Sequence, residues 1–346
     1  MPHNVALVGY GYAGKTFHAP LILAEPSLTL AAIVSRDAAK VHADLPGMRV
    51  EADIAVVLAD PTIDLIVIAT PNDSHAPLAH AAIDAGKALV VDKPLALTLA
   101  EACRIAAHVK ERGTMLSVFH NRRWDGDFMT IARAIEQDII GTVAHYESHF
   151  DRFRPTVRDR WRESTGPGSG VWADLGPHLV DQALVLFGSP DRVMASFGAL
   201  RKGAQTDDWA HVVLEYPALR CVLHAGMLVA GGSPRFVVHG SRGSLIKHGL
   251  DPQESQLTAG LRPDAPDWGR ETMPATRHDT DGAAHPHEVV RGAYQSYYAG
   301  IATALNGGPV PIAPQEALAV MAVVEAAARA AQTGIAQSVA PVELSI

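Results

Sequence analysis

Five short stretches of this 346-residue chain carry residue types that could do chemistry together. The first is Gly9-Tyr10-Gly11-Tyr12-Ala13-Gly14, which follows the apolar run Val5–Val8 and precedes a helical pattern. In that setting a GxGxxG turn cradles a dinucleotide pyrophosphate. Its first glycine permits the tight turn, its second lets backbone approach the phosphates, and its third lets helix and strand pack closely. The helix N-terminus then faces the anion. Gly9, Tyr10, Gly11 and Gly14 are therefore assigned to a cofactor, although such spacing by itself also occurs in ordinary glycine-rich turns.

The second stretch, Ser35-Arg36-Asp37, ends the next apolar run. An enzyme that takes NAD usually places a carboxylate there, for the ribose 2′-hydroxyl. A hydroxyl and a guanidinium suit a 2′-phosphate instead, so Ser35 and Arg36 point to NADP. The competing assignment gives Asp37 the ribose, with NAD as cofactor. The third stretch is Thr70-Pro71-Asn72 with His75, expected beside the cofactor because ligands of open parallel sheets sit beyond the strands' carboxyl ends. His75 reads equally well as a helix-capping or surface histidine. The fourth is Asp92-Lys93-Pro94 at the same sheet edge. A partly desolvated lysine there has a lowered pKa and can exchange protons near neutrality, though a surface lysine before a helix has the same local sequence. The fifth is Gly168-Ser-Gly170-Val-Trp-Ala-Asp174-Leu-Gly-Pro177-His178. One helical turn puts Asp174 and His178 on one face as an acid/base pair, although Pro177 fits a helix's first turn better than its interior. A helix cap beside a packed histidine is the plainer alternative.

The elements around these stretches fall into two textures. Through residue 121, short apolar runs (Val5–Val8, Leu30–Val34, Ile63–Ala69, Ala88–Val91, Met115–Phe119) alternate with helical patterns (Gly14–Leu23, Ser74–Ala85, Leu99–Arg112). Continuous apolar strands between helices imply a parallel sheet covered on both faces. After a further helix, Phe128–Gln137, the strands lengthen and alternate: Val143–Phe150, Val193–Leu200, Trp209–Tyr216, Leu219–Leu228 and Arg235–Gly240. Tyr216-Pro-Ala-Leu219 reads as a hairpin turn, so this sheet is at least partly antiparallel, with one face open. Residues 250–287, rich in Pro, Gly and Asp, read as loop, and Ala317–Ala331 as a final helix. The fold expected is α/β: a Rossmann doubly wound domain over 1–121, then an α/β substrate and oligomerisation domain over 122–346 with a largely antiparallel, open-faced sheet.

Taken together, Gly9–Gly14, Asp92-Lys93-Pro94 and Asp174-Leu-Gly-Pro-His178 resemble the glucose–fructose oxidoreductase / inositol dehydrogenase / MocA family over essentially the whole chain. Thr16-Phe-His-Ala-Pro-Leu21, Asn121-Arg-Arg-Trp-Asp-Gly-Asp127 and Asp174-Leu-Gly-Pro-His-Leu-Val-Asp181 are similar to its subgroup of NADP-dependent scyllo-inositol dehydrogenases. Residue 92 is Asp where many members have Glu. The resemblance implies that Lys93 and Pro94 border the cofactor, with Lys93 touching the substrate hydroxyl as well, and that Asp174 and His178 are its catalytic partners from the second domain. It leaves open whether Lys93 or His178 takes the proton. Arg122, Arg123 and Trp124 begin the second domain and either line the substrate side or serve as ordinary structural residues.

Composition narrows the classes. A net charge of −8 disfavours a nucleic-acid binder, and 48% apolar residues fit a packed globular protein. Cys103 and Cys221 form no disulfide framework. The opening residues lack a secretory signal and no apolar run is long enough for a span, so a cytoplasmic location is expected. His285-Pro-His287 and Asp279-Thr-Asp281-Gly282 lack the further ligands a metal needs, so no metal is assigned. The activity expected is an NADP-dependent dehydrogenase or reductase of CH–OH groups in a small polyol, cyclitol or sugar-like substrate, assembled as a homodimer or homotetramer. The alternatives are a non-catalytic NAD(P)-binding regulator on the same fold and a lyase or hydrolase holding its cofactor tightly.

Overall fold

The computed structural model describes residues 2–340 and 342, arranged around two sheets. Strands β1 (His3–Val8), β2 (Leu28–Val34), β3 (Val50–Glu51), β4 (Leu65–Ile68), β5 (Ala88–Asp92) and β6 (Leu116–Phe119) form a parallel sheet in the order β3-β2-β1-β4-β5-β6. This is the doubly wound Rossmann order. Its strand sequence reverses beside β1 and opens a crevice at the carboxyl ends. β4 and β6 are buried at every position, as strands covered on both faces must be.

Nine strands make the second sheet: β7 (Val143–Asp151), β8 (Arg192–Gly198), β9 (Trp209–Glu215), β10 (Arg220–Gly226), β11 (Phe236–Gly240), β12 (Gly243–Lys247), β13 (Ala275–His278), β14 (Ala284–His287) and β15 (Gln337–Ser338). They run in the order β14-β13-β12-β11-β7-β10-β9-β8-β15. All pairings are antiparallel except β7 with β10. Tyr146, Phe150, Val212, Leu214, Leu223 and Phe236 point inward onto a core shared with helices Gly126–Glu136, Val171–Phe187 and Pro314–Thr333. On the other face one cross-strand row runs Ile246, Val237, Glu147, Val222, Val213, Met194. That row is apolar except for Glu147, which His145 and His149 engage at 2.7 and 2.9 Å.

The C-terminal part of the chain returns to the first sheet. Tyr294, Tyr297, Tyr298 and Ile301 pack with Val5, Leu7 and Phe119, while Leu318 and Met321 join Ile66, Val91 and Val118. A division at residue 121 thus separates the sheets along the sequence but not their cores. One sequence reading is corrected outright. The 250–287 segment is not all loop: it holds helix Gln253–Thr258 and strands β13 and β14. These strands are four residues each, and only Ala275 among them is buried. Their pairing rests on backbone hydrogen bonds, so no hydrophobic alternation announces them. Pro286 in β14 is tolerated because that strand is the sheet's edge.

The glycine turn has the geometry its spacing predicts. Gly9 has φ +98°, and a Cβ there would lie 2.5 Å from the Ala69 carbonyl oxygen. A Cβ on Gly14 would lie 2.2 Å from the Gly9 oxygen, whereas one on Gly11 meets nothing within 4 Å. Two of the glycines therefore serve packing and the third faces open space. Gly9→Ala and Gly14→Ala are expected to destabilise the fold by about 1–3 kcal/mol through overpacking. Gly11→Ala should stay within about 0.5 kcal/mol of the parent. Thermal melts of the three variants check this, and an unchanged melting temperature for Gly14→Ala would contradict it.

Candidate active site

The loops after β1, β2 and β4 surround a cleft of about 730 Å³. Gly9, Tyr10, Gly11, Ser35 and Arg36 line it, as do Thr70, Pro71 and Asn72. Gly14 lies behind the turn, against Gly9. Asp37 caps helix Ala38–Asp44 by accepting from the Lys40 N–H at 2.9 Å, and its own N–H donates to Ser35 Oγ at 3.1 Å. Lys40 also lines the cleft, a second cation beside Arg36 that the motif reading passed over.

Three residues assigned to the cofactor, His75, Lys93 and Pro94, do not line this cleft. His75 is fully buried, with Nδ1 2.7 Å from the Pro94 carbonyl and Nε2 3.0 Å from that of Thr70. It ties two loops together from behind the cleft wall. Pro94 borders a separate small pocket instead of the cleft.

A second cavity of about 470 Å³ opens beside the cleft, and Tyr12, Ala13, Asp92 and Arg162 line both. Lys93, from the end of β5, and Asp174 and His178, from helix Val171–Phe187, come together here. Lys93 follows β5, and its Nζ donates to the Asp174 carbonyl at 2.6 Å and lies 3.5 Å from Asp174 Oδ1. Asp174 and His178 are one turn apart on helix Val171–Phe187, which accommodates Pro177 in its interior. The helix start is fixed from outside: Trp172 N–H donates to the Asp207 carboxylate at 2.8 Å and Val171 N–H to the Asp207 carbonyl at 2.9 Å. Gly170 leaves room for this cap, since a Cβ there would lie 2.0 Å from Asp207 Oδ1.

Burial sets the electrostatics. It pushes the Lys93 pKa below the ordinary lysine value, against the opposing pull of Asp174 and Asp92. Burial alone would raise Asp174, but Lys93, Arg162, Arg152 and Arg160 hold its carboxyl below the usual range. Burial, reinforced by Lys93 and Arg122, drives His178 well below the ordinary imidazole value, and its Nδ1 has no hydrogen-bond partner. The cavity thus holds an ionised carboxylate, a neutral imidazole and a lysine with a weakened hold on its proton.

Arg122 lines the cavity and is paired with Glu254 at 2.6 Å and Asp125 at 3.4 Å. Arg123 instead forks onto Asp181 and reaches Glu316 at 2.6 Å, a tie between elements. Trp124 stacks edge-on against Tyr297 at 5.6 Å and lines neither cavity, in keeping with the structural rather than the substrate-lining alternative. Glu254 comes from the segment read as loop. The arginines at 152, 154, 158, 160 and 162 also line the cavity. Five arginines in eleven residues were a visible signal, yet nothing in the sequence shows which wall they form.

Among the described residues no group of three or more His, Cys, Asp or Glu side chains could hold a metal ion, and no helix is long and apolar enough to cross a membrane. Residues 3–120 match the family described as oxidoreductase, NAD-binding Rossmann fold, and residues 132–342 its C-terminal alpha/beta domain. The chain is 51% identical to the uncharacterised oxidoreductase YdgJ of Escherichia coli, covering 93% of this chain and 94% of that one. It is 35% identical to the NADP-dependent scyllo-inositol 2-dehydrogenase IolW of Bacillus subtilis, covering 94% and 92%. A solved Yersinia pestis structure described as an oxidoreductase superposes with a TM-score of 0.95 at 46% identity, covering 99% and 98%. This chain belongs to the glucose–fructose oxidoreductase / inositol dehydrogenase / MocA family of oxidoreductases.

Proposed function

We propose that this oxidoreductase is an NADP-dependent dehydrogenase or reductase acting on a CH–OH carbon of a polyol, cyclitol or sugar-like substrate. The observation that carries the reading is Lys93, which lines the second cavity next to Asp92, a residue shared with the nucleotide cleft, and faces the Asp174 carboxylate from helix Val171–Phe187. The similarity to IolW supports the substrate class and the cofactor. The cleft fits a dinucleotide, because Gly11 leaves open the space a pyrophosphate needs and a helix N-terminus follows it. Arg36 and Lys40 meet a 2′-phosphate, while Asp37 is occupied as a helix cap. NADP, when bound, accepts the hydrogen and electron pair from the carbinol carbon or returns them.

The chain's own residues deal with the hydroxyl proton. Lys93 takes it on oxidation and donates it on reduction. Asp174 stays ionised and, with its backbone carbonyl, orients the ammonium. His178, neutral because its charged form is disfavoured, offers a hydrogen bond to the same hydroxyl and is the weaker base.

Lys93→Met should lower turnover by about 10²–10⁴-fold, the range of general acid–base help. NADPH affinity by fluorescence titration should change far less. Because the Lys93 pKa is lowered, oxidation should gain rate as pH rises through it and reduction should lose rate over the same interval. Near-normal turnover of Lys93→Met would favour the regulator reading. For the cofactor, Arg36→Ala should weaken NADP binding by about ten- to hundredfold, the scale of a hydrogen bond to a charged group. NAD binding should barely move, and an equal loss for both would rule out the assignment.

We also propose that copies pair through the open face of the second sheet. Met194, Val213, Val222, Val237 and Ile246 form an apolar row across it, interrupted only at Glu147 on β7, and none of the five is fully buried in the single chain. Light scattering at micromolar concentration should give at least twice the 36.7 kDa chain mass. Val213→Glu should return the protein towards monomer, and a monomeric parent would refute the pairing.

A further inference from the structure

The second cavity is strongly cationic. Seven basic side chains line it against three carboxylates. Some of the positive charge is neutralised locally: Lys93 and Arg162 share Asp174, Arg122 has Glu254, and Arg160 has Glu163 at 2.7 Å. Arg152, Arg154 and Arg158 have no carboxylate within ion-pairing distance among the described residues.

The first two of these are held in place. Arg152 N–H donates to the Gly226 carbonyl and Arg154 N–H to that of Met227, both at 2.8 Å, and Phe153 bridges to Leu228. The segment is thereby pinned along the end of β10. In extended backbone, residues 152 and 154 share one side and Phe153 takes the other, which matches two cavity-lining arginines flanking an exposed Phe153. The guanidinium of Arg152 lies over the Phe150 ring at 5.2 Å. Burial and the neighbouring Arg154 push the Arg152 pKa down to about 10, and burial with Arg158 and Arg160 lowers Arg154. Like charges fixed together without a paired carboxylate are costly, and a bound anion offsets that cost. Guanidinium pairs are suited to this because they meet carboxylate and phosphate oxygens in a fork.

The anion is not the cofactor's. Arg152, Arg154 and Arg158 line only the second cavity, and the nucleotide cleft has its own cations in Arg36 and Lys40.

We propose that the substrate carries an oxyanion, a carboxylate or a phosphate ester on a polyol-like skeleton, held by Arg152 and Arg154 while Lys93 meets its hydroxyl. This rests on the oxidoreductase reading above and adds the charge of the substrate to it. The cavity, at about 470 Å³, has the volume of a small-molecule site.

The test uses full-length protein saturated with NADP, so that the 2′-phosphate site is filled. Inorganic phosphate, gluconate, glucitol 6-phosphate and neutral glucitol are titrated calorimetrically. At least one of the three anions is expected to bind tenfold or more tightly than glucitol, and which one separates a carboxylate from a phosphate site. In Arg152→Met/Arg154→Met that preference should fall to within about twofold, and Arg152→Lys/Arg154→Lys should restore part of it. NADPH affinity within about threefold of the parent shows that the variants are folded. No detectable binding of any of the three anions overturns the proposal, as does an undiminished preference in the Met variant. Absorbance at 340 nm on the same ligands separates the two claims. Turnover of glucitol with no anion preference keeps the oxidoreductase and removes the anion site. Anion binding without turnover keeps the site and counts against the dehydrogenase.

Discussion

Lys93, just past β5, and Asp174, on helix Val171–Phe187 of the second domain, lie 81 residues apart in the chain, yet the Lys93 ammonium donates to the Asp174 carbonyl and faces its carboxylate. Drawing both charges partly out of water is costly unless each finds well-placed partners. That requirement fixes helix Val171–Phe187 against the carboxyl end of β5, and much of the site follows from it. The helix must begin at Val171 for Asp174 to reach Lys93. Asp207, from the loop before β9, caps that start, and only a glycine at position 170 leaves the cap its space.

A buried polar chain extends the same constraint into the second sheet. Arg235 donates to Ser148 Oγ on β7 and to Gln182 Oε1 on the helix, at 2.6 and 2.8 Å. Gln182 in turn donates to the Arg122 carbonyl at 2.9 Å. The wall of the second cavity is therefore joined to the middle of the sheet through buried hydrogen bonds, which tie helix, strand and cavity wall into one geometry. The returning helices complete the frame by burying Tyr297, Tyr298 and Leu318 against the first sheet, so the two sheets cannot separate without exposing apolar core.

The nucleotide cleft was largely legible in the sequence because each of its parts is local. Gly9, Gly11 and Gly14 act within six residues, and the strand before them and the helix after them are read from hydrophobic period alone. Ser35 and Arg36 follow one strand, and Thr70-Pro71-Asn72 another, so their place at the sheet edge follows from parallel topology. The spacing of Asp174 and His178 placed them on one helical turn. The resemblance to the family, not the spacing, joined them to Lys93.

Other features depended on contacts distant in sequence. The motif reading sent His75 to the cofactor, but its ring spans two carbonyls behind the wall. Trp124 packs on Tyr297, a residue 173 positions later. β13 and β14 bury almost nothing, and their existence rests on pairing with β12. The charge of the second cavity is of the same kind. The sequence displays five arginines between 152 and 162, but a count of charges cannot say which have carboxylate partners, because Glu254, Asp174 and Glu163 are brought to them by the fold. The sequence by itself determined the parallel domain, its glycine turn and the residue types available for proton transfer, since these follow from local periodicity and short-range sterics. Only the tertiary structure decided which charges are neutralised and which remain free to meet a ligand, because that depends on burial and on partners from distant parts of the chain.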